Sequence, residues 1–222
     1  MADVSITEEN YLKAIFKISE KEENPVSNKA ISEAMATSAA SVTDMLRRLK
    51  RDGYINYKSR KGVTLTEKGR NIATTLVRKH RLWEVFLMEK LDFAWDEVHS
   101  IAEELEHINS PELVVRLDKF LGHPKFDPHG DPIPDAEGNF AERPQVFLSD
   151  LQIGETAVLV GVNEHSSTFL QYLDRLELSL GTSIKLLEKF EFDESIKVRY
   201  AKPKKEIILT AKVSQNLFVR LV

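Results

Sequence analysis

Apolar residues recur at helical spacing through most of the first 121 positions, then give way to short runs of β character. In residues 7–22, Tyr11, Leu12, Ile15, Phe16 and Ile18 share one helical stripe, and Ser5 with Glu8 has the spacing of a capping box. Pro25 closes that element. Residues 27–35 read as a short helix with Ser27 as N-cap. ATSAA breaks the period, and Val42, Met45, Leu46 and Leu49 resume it up to the stop at Gly53. Tyr54, Ile55 and Tyr57 are separated from Val63 and Leu65 by the basic turn Lys58-Ser59-Arg60-Lys61-Gly62, which predicts a β-hairpin. Helix, short helix, turn, helix and hairpin is the order of a winged helix-turn-helix.

Thr66 is placed to cap a long helix over about 67–90, and a further helix is expected over about 93–108. Ser110, Pro111 and Gly122 frame another with N-cap, first-turn proline and terminal glycine. Residues 122–144 carry five of the eight prolines and read as a stiff, irregular linker. Beyond it, β-rich runs at 156–163, 183–189, 196–200, 206–210 and 217–221 surround one helical stretch, STFLQYLDRLEL, as in a small barrel. The expected fold class is mainly α with a small β part. Its domains are a winged helix-turn-helix (1–72), a helical domain (73–122), a proline-rich linker (123–146) and a small β-barrel (147–222).

Composition narrows the chemistry. The 222 residues are 42% hydrophobic and 30% charged, as in globular proteins, and no apolar run approaches the roughly 20 residues that cross a bilayer. MADVSITEEN lacks a basic and then apolar leader, so a cytoplasmic location is expected. There is no cysteine, which excludes disulfides, thiol nucleophiles and thiolate metal sites. The net charge of −4 conceals a gradient. Residues 1–75 hold 13 basic against 10 acidic residues, 76–146 hold 8 against 15, and 147–222 hold 10 against 10. A mildly basic first segment suits a polyanion despite the overall sign.

Two constellations carry candidate chemistry. His99, Glu103, Glu106 and His107 share one helical face, and His80 with Glu84 forms a second pair at i, i+4. Imidazole and carboxylate without sulfur suit Mn²⁺, Fe²⁺ or Zn²⁺; the alternative is a solvated surface with ordinary helix pairs. Neither an HExxH helix nor a G-x-S-x-G elbow is present, so an enzyme is not expected. The second constellation is the helix beginning near Ser38. Ser38, Ser41, Thr43 and Asp44 are small enough to approach bases and phosphates, and Arg47, Arg48, Lys50 and Arg51 follow. Arg60 and Lys61 in the wing would meet the phosphate backbone or minor groove. An ordinary amphipathic helix with a solvated hairpin is the plain alternative.

Over nearly its whole length the chain resembles the diphtheria toxin repressor family of metal-dependent transcriptional regulators, in its manganese-responsive branch. The resemblance is carried by TEENYLKAIFKI, SVTDMLRRLKRDGYI with VTLTEKGR, RKHRLWEVFL followed by VHSIAEELEH, PHGDPIP, and LSDLQIGETAVLVGV. The last resembles an SH3-like, FeoA-type domain, and the helical domain becomes one of metal binding and dimerisation. The resemblance implies a primary metal site of Asn10, Glu103, Glu106 and His107, and an ancillary site of His80, Glu84 and His99 with Glu164. The iron-sensing branch has cysteine at the position of Glu103, so a carboxylate there favours Mn²⁺. Asn10 departs from the aspartate of manganese sensors and the methionine of iron sensors, and Glu9 could substitute for it.

The implied protein represses metal-uptake genes by binding palindromic operator DNA in the major groove as a homodimer. Mn²⁺ is the expected effector, with Fe²⁺ as the alternative and Zn²⁺, Co²⁺ or Cd²⁺ as substitutes in vitro. No membrane and no small organic substrate is involved. Phe93, Trp95, Leu113, Val114, Leu117 and Phe120 would bury the dimer contact or serve as intradomain core. The rival readings are an iron-responsive regulator of the same family, a winged-helix regulator with a non-metal effector, and a metal-dependent hydrolase. His123 and His129 are expected in exposed loop.

Overall fold

The computed structural model describes residues 4–21, 25–58, 61–142, 146–200 and 205–222. They form two compact units. The first comprises the described residues of Met1–His80 with Glu103–Val114 and Pro134–Phe140; the second comprises those of Arg81–Ala102, Val115–Ile133 and Ala141–Val222.

The first unit opens with α1 (Ile6–Lys21), α2 (Asn28–Ala34) and α3 (Ala39–Arg51), followed by the hairpin β1 (Ile55–Lys58) and β2 (Gly62–Leu65). The anticipated caps are present. Ser5 N–H donates to Glu8 Oε2 at 2.8 Å, while Ser27 and Ser38 accept from Ala30 N and Ser41 N at 3.1 Å each. The hairpin pairs Ile55 with Leu65 and Lys58 with Gly62. Leu12, Ile15, Ile31, Val42, Leu46, Leu49 and Val63 fill the core. The long helix α4 (Glu67–Leu91) begins where Thr66 Oγ1 accepts from Gly69 N at 3.2 Å. A Cβ at Gly69 would lie 2.0 Å from the Tyr54 carbonyl oxygen, so this helix starts in direct contact with the hairpin's entry.

The next helix, α5 (Val98–Leu105), is shorter than its period suggests. Asp92 takes a left-handed φ of 57° after α4, and Ala94 N–H is bound by Glu97 Oε2 at 2.9 Å. Trp95 is drawn into the core of the second unit, where its indole N–H donates to Asp174 at 3.0 Å. Residues 93–97 therefore serve tertiary packing instead of helix, and Trp95 is core, not dimer surface. At the other end, Glu106 and His107 lie in the turn beyond Leu105. The helix α6 (Pro111–Phe120) has the expected frame, with Ser110 Oγ accepting from Leu113 N at 3.3 Å and Gly122 at φ 75°.

The second unit is built on a six-stranded antiparallel sheet of order β3-β8-β4-β5-β6-β7. Its strands are β3 (Val146–Phe147), β4 (Thr156–Val162), β5 (Ser183–Lys189), β6 (Ile196–Tyr200), β7 (Lys205–Leu209) and β8 (Leu217–Leu221), with α7 (Ser167–Arg175) and α8 (Ala211–Ser214) between them. Alternation sends Ile184 and Leu186, then Ile196, Val198 and Tyr200, into one core with Leu159, Leu170 and Leu173. The two-residue β3 and four-residue α8 are too short to leave a periodic signal.

The proline-rich segment is irregular, as its composition implies, but it is packed. Residues 127–130 are all buried, including His129, which overturns its assignment to exposed loop; His123 is exposed as expected. Asp127 Oδ1 organises the turn by accepting from His129 N and Asp131 N at 2.9 Å each. Gly130, at φ 82°, lets it approach β4 so closely that a Cβ would sit 2.1 Å from the Val160 oxygen.

Candidate metal centre

In the first unit, the turn after α5 and the first turns of α1 bring together most of the primary ligand set. Glu106 is fully buried, with His80 Nδ1 at 2.6 Å from Oε2. Lys13, also buried, places its ammonium 2.8 and 2.6 Å from the two oxygens of Glu106 and 2.8 Å from Glu103 Oε1. Burial works to raise the Glu103 pKa, but the charge and hydrogen bond of Lys13, with His80 and Lys17 nearby, hold it below the usual carboxylate value. His107 Nδ1 meets Glu9 Oε2 at 2.6 Å, and its Nε2 faces Glu106 Oε1 at 3.8 Å. A proton on Nδ1 directed at Glu9 leaves the Nε2 lone pair for a cation. Glu9 thus orients His107.

The Asn10 amide oxygen is buried and has no hydrogen-bond partner among the described residues. An orphaned acceptor of this kind costs free energy unless a ligand takes it. The oxygens that Asn10, Glu103 and Glu106 offer, and His107 Nε2, are donors of a kind that suits a hard or borderline divalent ion. His80 joins this group through Glu106.

The second unit holds a different cluster. Glu84, Asp127 and His129 are buried, with one ligand atom from each lying within 4.8 Å of the others. His99 Nδ1 reaches Glu84 Oε1 at 3.1 Å. His129 Nε2–H donates to the Trp95 carbonyl at 2.8 Å, which turns Nδ1 towards Glu84 Oε2 at 3.7 Å. Desolvation works to lower the His129 pKa, but Glu84 and Asp127 outweigh it and the net shift is upwards. Asp127 is raised by burial and by the charges of Glu84 and Asp131, against Arg81 and His129. Carboxylates outnumber fixed cations here, as a divalent site requires. Glu84 and His99 of the predicted ancillary set are together, whereas Glu164 is exposed and accepts from Ser166 N at 2.8 Å. Its neighbour His165 is the residue from that loop that comes close, stacked on His129 with ring centroids 5.0 Å apart. Burial and the His129 charge bring the His165 pKa down to about 4, against the opposing pull of Asp131.

Sequence reasoning missed Asp127, His129 and His165. The available signal was the density of acid and imidazole in DPHGD, which the proline content disguised as linker.

On the winged helix, Ser38, Ser41, Asp44, Arg47, Arg48 and Lys61 are exposed and Thr43 is half-buried. Thr43 Oγ1 is engaged by the Ala39 carbonyl at 2.8 Å, and Asp44 pairs with Arg47 at 3.1 Å. Arg48 is tied back to the buried Glu8, with Nε 2.8 Å from Oε1. Arg60 lies outside the described residues.

Models of three known domains match successive stretches of the chain. Residues 3–63 match the model for the iron dependent repressor N-terminal DNA binding domain, and residues 66–135 match that for the iron dependent repressor metal binding and dimerisation domain. Residues 146–221 match the FeoA domain. The iron-dependent repressor IdeR of Mycobacterium leprae is 31% identical over 186 residues, covering 80% of each chain. A solved manganese-dependent transcriptional repressor in complex with manganese superposes with a TM-score of 0.86 at 34% identity, covering 97% of this chain and all of that one. The manganese regulator SloR gives 0.76 at 34% identity, over 97% and 98% of the two chains.

Proposed function

Because the chain belongs to the iron-dependent, or diphtheria toxin, repressor family, whose members are metal-dependent transcriptional repressors and not enzymes, we propose that it represses metal-uptake genes in response to Mn²⁺. The observation that carries the choice of metal is the donor set around Asn10, Glu103, Glu106 and His107, which is rich in oxygen and free of sulfur. A thiolate at position 103 would favour later, softer ions, and a carboxylate removes that advantage. When bound, the ion would supply a positive centre that draws these donors together and so ties α1 to the end of α5.

The residues of the chain divide the remaining work. Glu9 holds His107 in the tautomer that offers Nε2. Glu84, Asp127 and His129 would hold a second ion, with His99 beside Glu84. Ser38, Ser41, Thr43 and Asp44 open the recognition helix towards base edges and phosphates of a palindromic operator's major groove. Arg47, Arg48, Arg60 and Lys61 supply attraction to the backbone. No helix among the described residues is long and apolar enough to cross a membrane. The domains follow as a winged helix-turn-helix (1–72), a metal-binding and dimerisation domain (73–122), a proline-rich segment (123–146) and an SH3-like FeoA-type domain (147–222). Leu113, Val115 and Phe120 are exposed along α6, and an apolar face of this kind fits a homodimer contact.

The test is operator affinity measured by gel shift with Mn²⁺, with Fe²⁺ and with neither, for the native chain and for Glu106→Ala and His107→Ala. Binding by the native chain that is indifferent to metal refutes the proposal. A response to Fe²⁺ in preference to Mn²⁺ would establish the second reading, an iron-responsive repressor, which the 31% identity to an iron-dependent repressor favours.

A further inference from the structure

We propose that Lys13 is a built-in competitor for the primary metal site and sets how much free metal is needed to fill it. The inference rests on the reading of Asn10, Glu103, Glu106 and His107 as that site. A lysine is rarely buried, because removing an ammonium from water is costly unless anions surround it. Only 5% of the Lys13 side chain is exposed, and its ammonium contacts both oxygens of Glu106 and Oε1 of Glu103 at 2.6–2.8 Å. His80 Nδ1 lies 3.4 Å away. The chain thus delivers its own cation to two of the carboxylates assigned to the metal.

Oxygen lone pairs directed at an ammonium are the same lone pairs a divalent ion needs at about 2.0–2.2 Å. The two cations also repel strongly at such separations, even at an effective dielectric constant of about 20. Binding of metal therefore includes displacement of Lys13 from Glu106, and the apparent metal affinity is weakened by the stability of that ion pair. Lysine is suited to the task. Its compact head sits on a flexible four-carbon stem that can withdraw without moving α1, whereas an arginine fork would grip a carboxylate through two bonds and yield less readily. A repressor with such a lysine fills only when metal is plentiful, which is the condition for shutting off uptake.

The experiment is a titration of the full-length chain with Mn²⁺, counting free ion by its electron paramagnetic resonance signal, for native, Lys13→Gln, Lys13→Arg and Glu106→Gln. Lys13→Gln should bind Mn²⁺ at least about tenfold more tightly than native. Lys13→Arg, which keeps the charge and the fold, should bind at least about threefold more weakly. A purely structural lysine predicts unchanged or weaker binding in the Gln variant, and that result overturns the proposal. Should the Gln variant not fold, unchanged or tighter binding by the Arg variant does the same. A Mn²⁺ stoichiometry that Glu106→Gln leaves unchanged overturns the ligand assignment itself, since the Glu84, Asp127 and His129 cluster accounts for only one of the two ions. Loss of one bound ion in Glu106→Gln with no tightening of that ion in Lys13→Gln overturns the competitor role alone.

Discussion

Replacing Glu106 by alanine should destabilise the fold as well as remove a ligand. The carboxylate is fully buried and holds two basic groups, the Lys13 ammonium at 2.6 and 2.8 Å and His80 Nδ1 at 2.6 Å. Without it, the buried Lys13 ammonium keeps among the described residues the partly exposed Glu103 and His80 Nδ1, and much of its charge is left uncompensated. Breaking one partner of a buried ion pair costs about 3–5 kcal/mol. For a chain of 222 residues that corresponds to a fall in Tm of roughly 6–20 °C, at about 2–4 °C per kcal/mol. The assay is thermal unfolding of the full chain in the presence of a chelator, followed by circular dichroism. A double-mutant cycle with Lys13→Met sharpens it. Removing the stranded ammonium should restore a substantial part of the loss, so the double variant is more stable than Glu106→Ala alone and the coupling exceeds about 2 kcal/mol. A Glu106→Ala protein within about 0.5 kcal/mol of native, or a double variant no better than the single, would refute the view that these charges depend on each other.

Glu103→Cys should move the metal ranking from Mn²⁺ towards Fe²⁺, Co²⁺ and Zn²⁺, read from competitive metal titrations; an unchanged order contradicts the selectivity argument. Gly130→Ala should lower the urea midpoint by the equivalent of at least about 2 kcal/mol, because the new Cβ meets the Val160 oxygen in a left-handed conformation. Ser38→Ala should cost about 1 kcal/mol of stability by removing the N-cap of the recognition helix, seen as a lower Tm. Lys61→Ala should weaken binding to all DNA sequences alike and reduce the salt slope of log affinity by about 1.

How far the fold could be read in advance depended on whether local signals decided each element. The boundaries of α2, α4 and α6 coincide with caps written into the chain at Ser27, Thr66 and Ser110, so their ends came within a residue or two. The start of α5 did not, because the helical period of 93–97 is overruled by the burial of Trp95 and by its bond to Asp174, 79 positions away. The candidate metal residues show the same contrast. Glu103 and Glu106 were visible as helical spacing, and His107 with them, although the last two lie past the helix end. Asp127 and His129 were disguised as linker, since only the Asp127 turn and the close pass of Gly130 over β4 carry them inward. Lys13 was unremarked because a single lysine on an amphipathic helix ordinarily snorkels to water. Here two carboxylates from the turn after α5 and its C-terminal end intercept it.

The first turns of α1 explain why such a chain can couple an ion to DNA at short range. Glu8 takes both Ser5 N–H and Arg48 of the recognition helix, at 2.8 Å each, and Glu9 takes His107 at 2.6 Å. Asn10 presents the orphaned oxygen, and Lys13 reaches Glu103 and Glu106. Within residues 8–13 the helix therefore contacts the recognition helix through Glu8 and the acidic cluster through Glu9 and Lys13. A helical turn is held by its own backbone hydrogen bonds and shifts as a unit. Ligation at Asn10 would bias the position of Glu8, the partner of Arg48. By linkage, a phosphate that claims Arg48 must favour metal at Asn10 by the same factor. The acidic excess of the middle segment and the basic excess of the first then have one physical meaning. Each would draw its own counter-ion, and α1 is the element in contact with both the recognition helix and the acidic cluster.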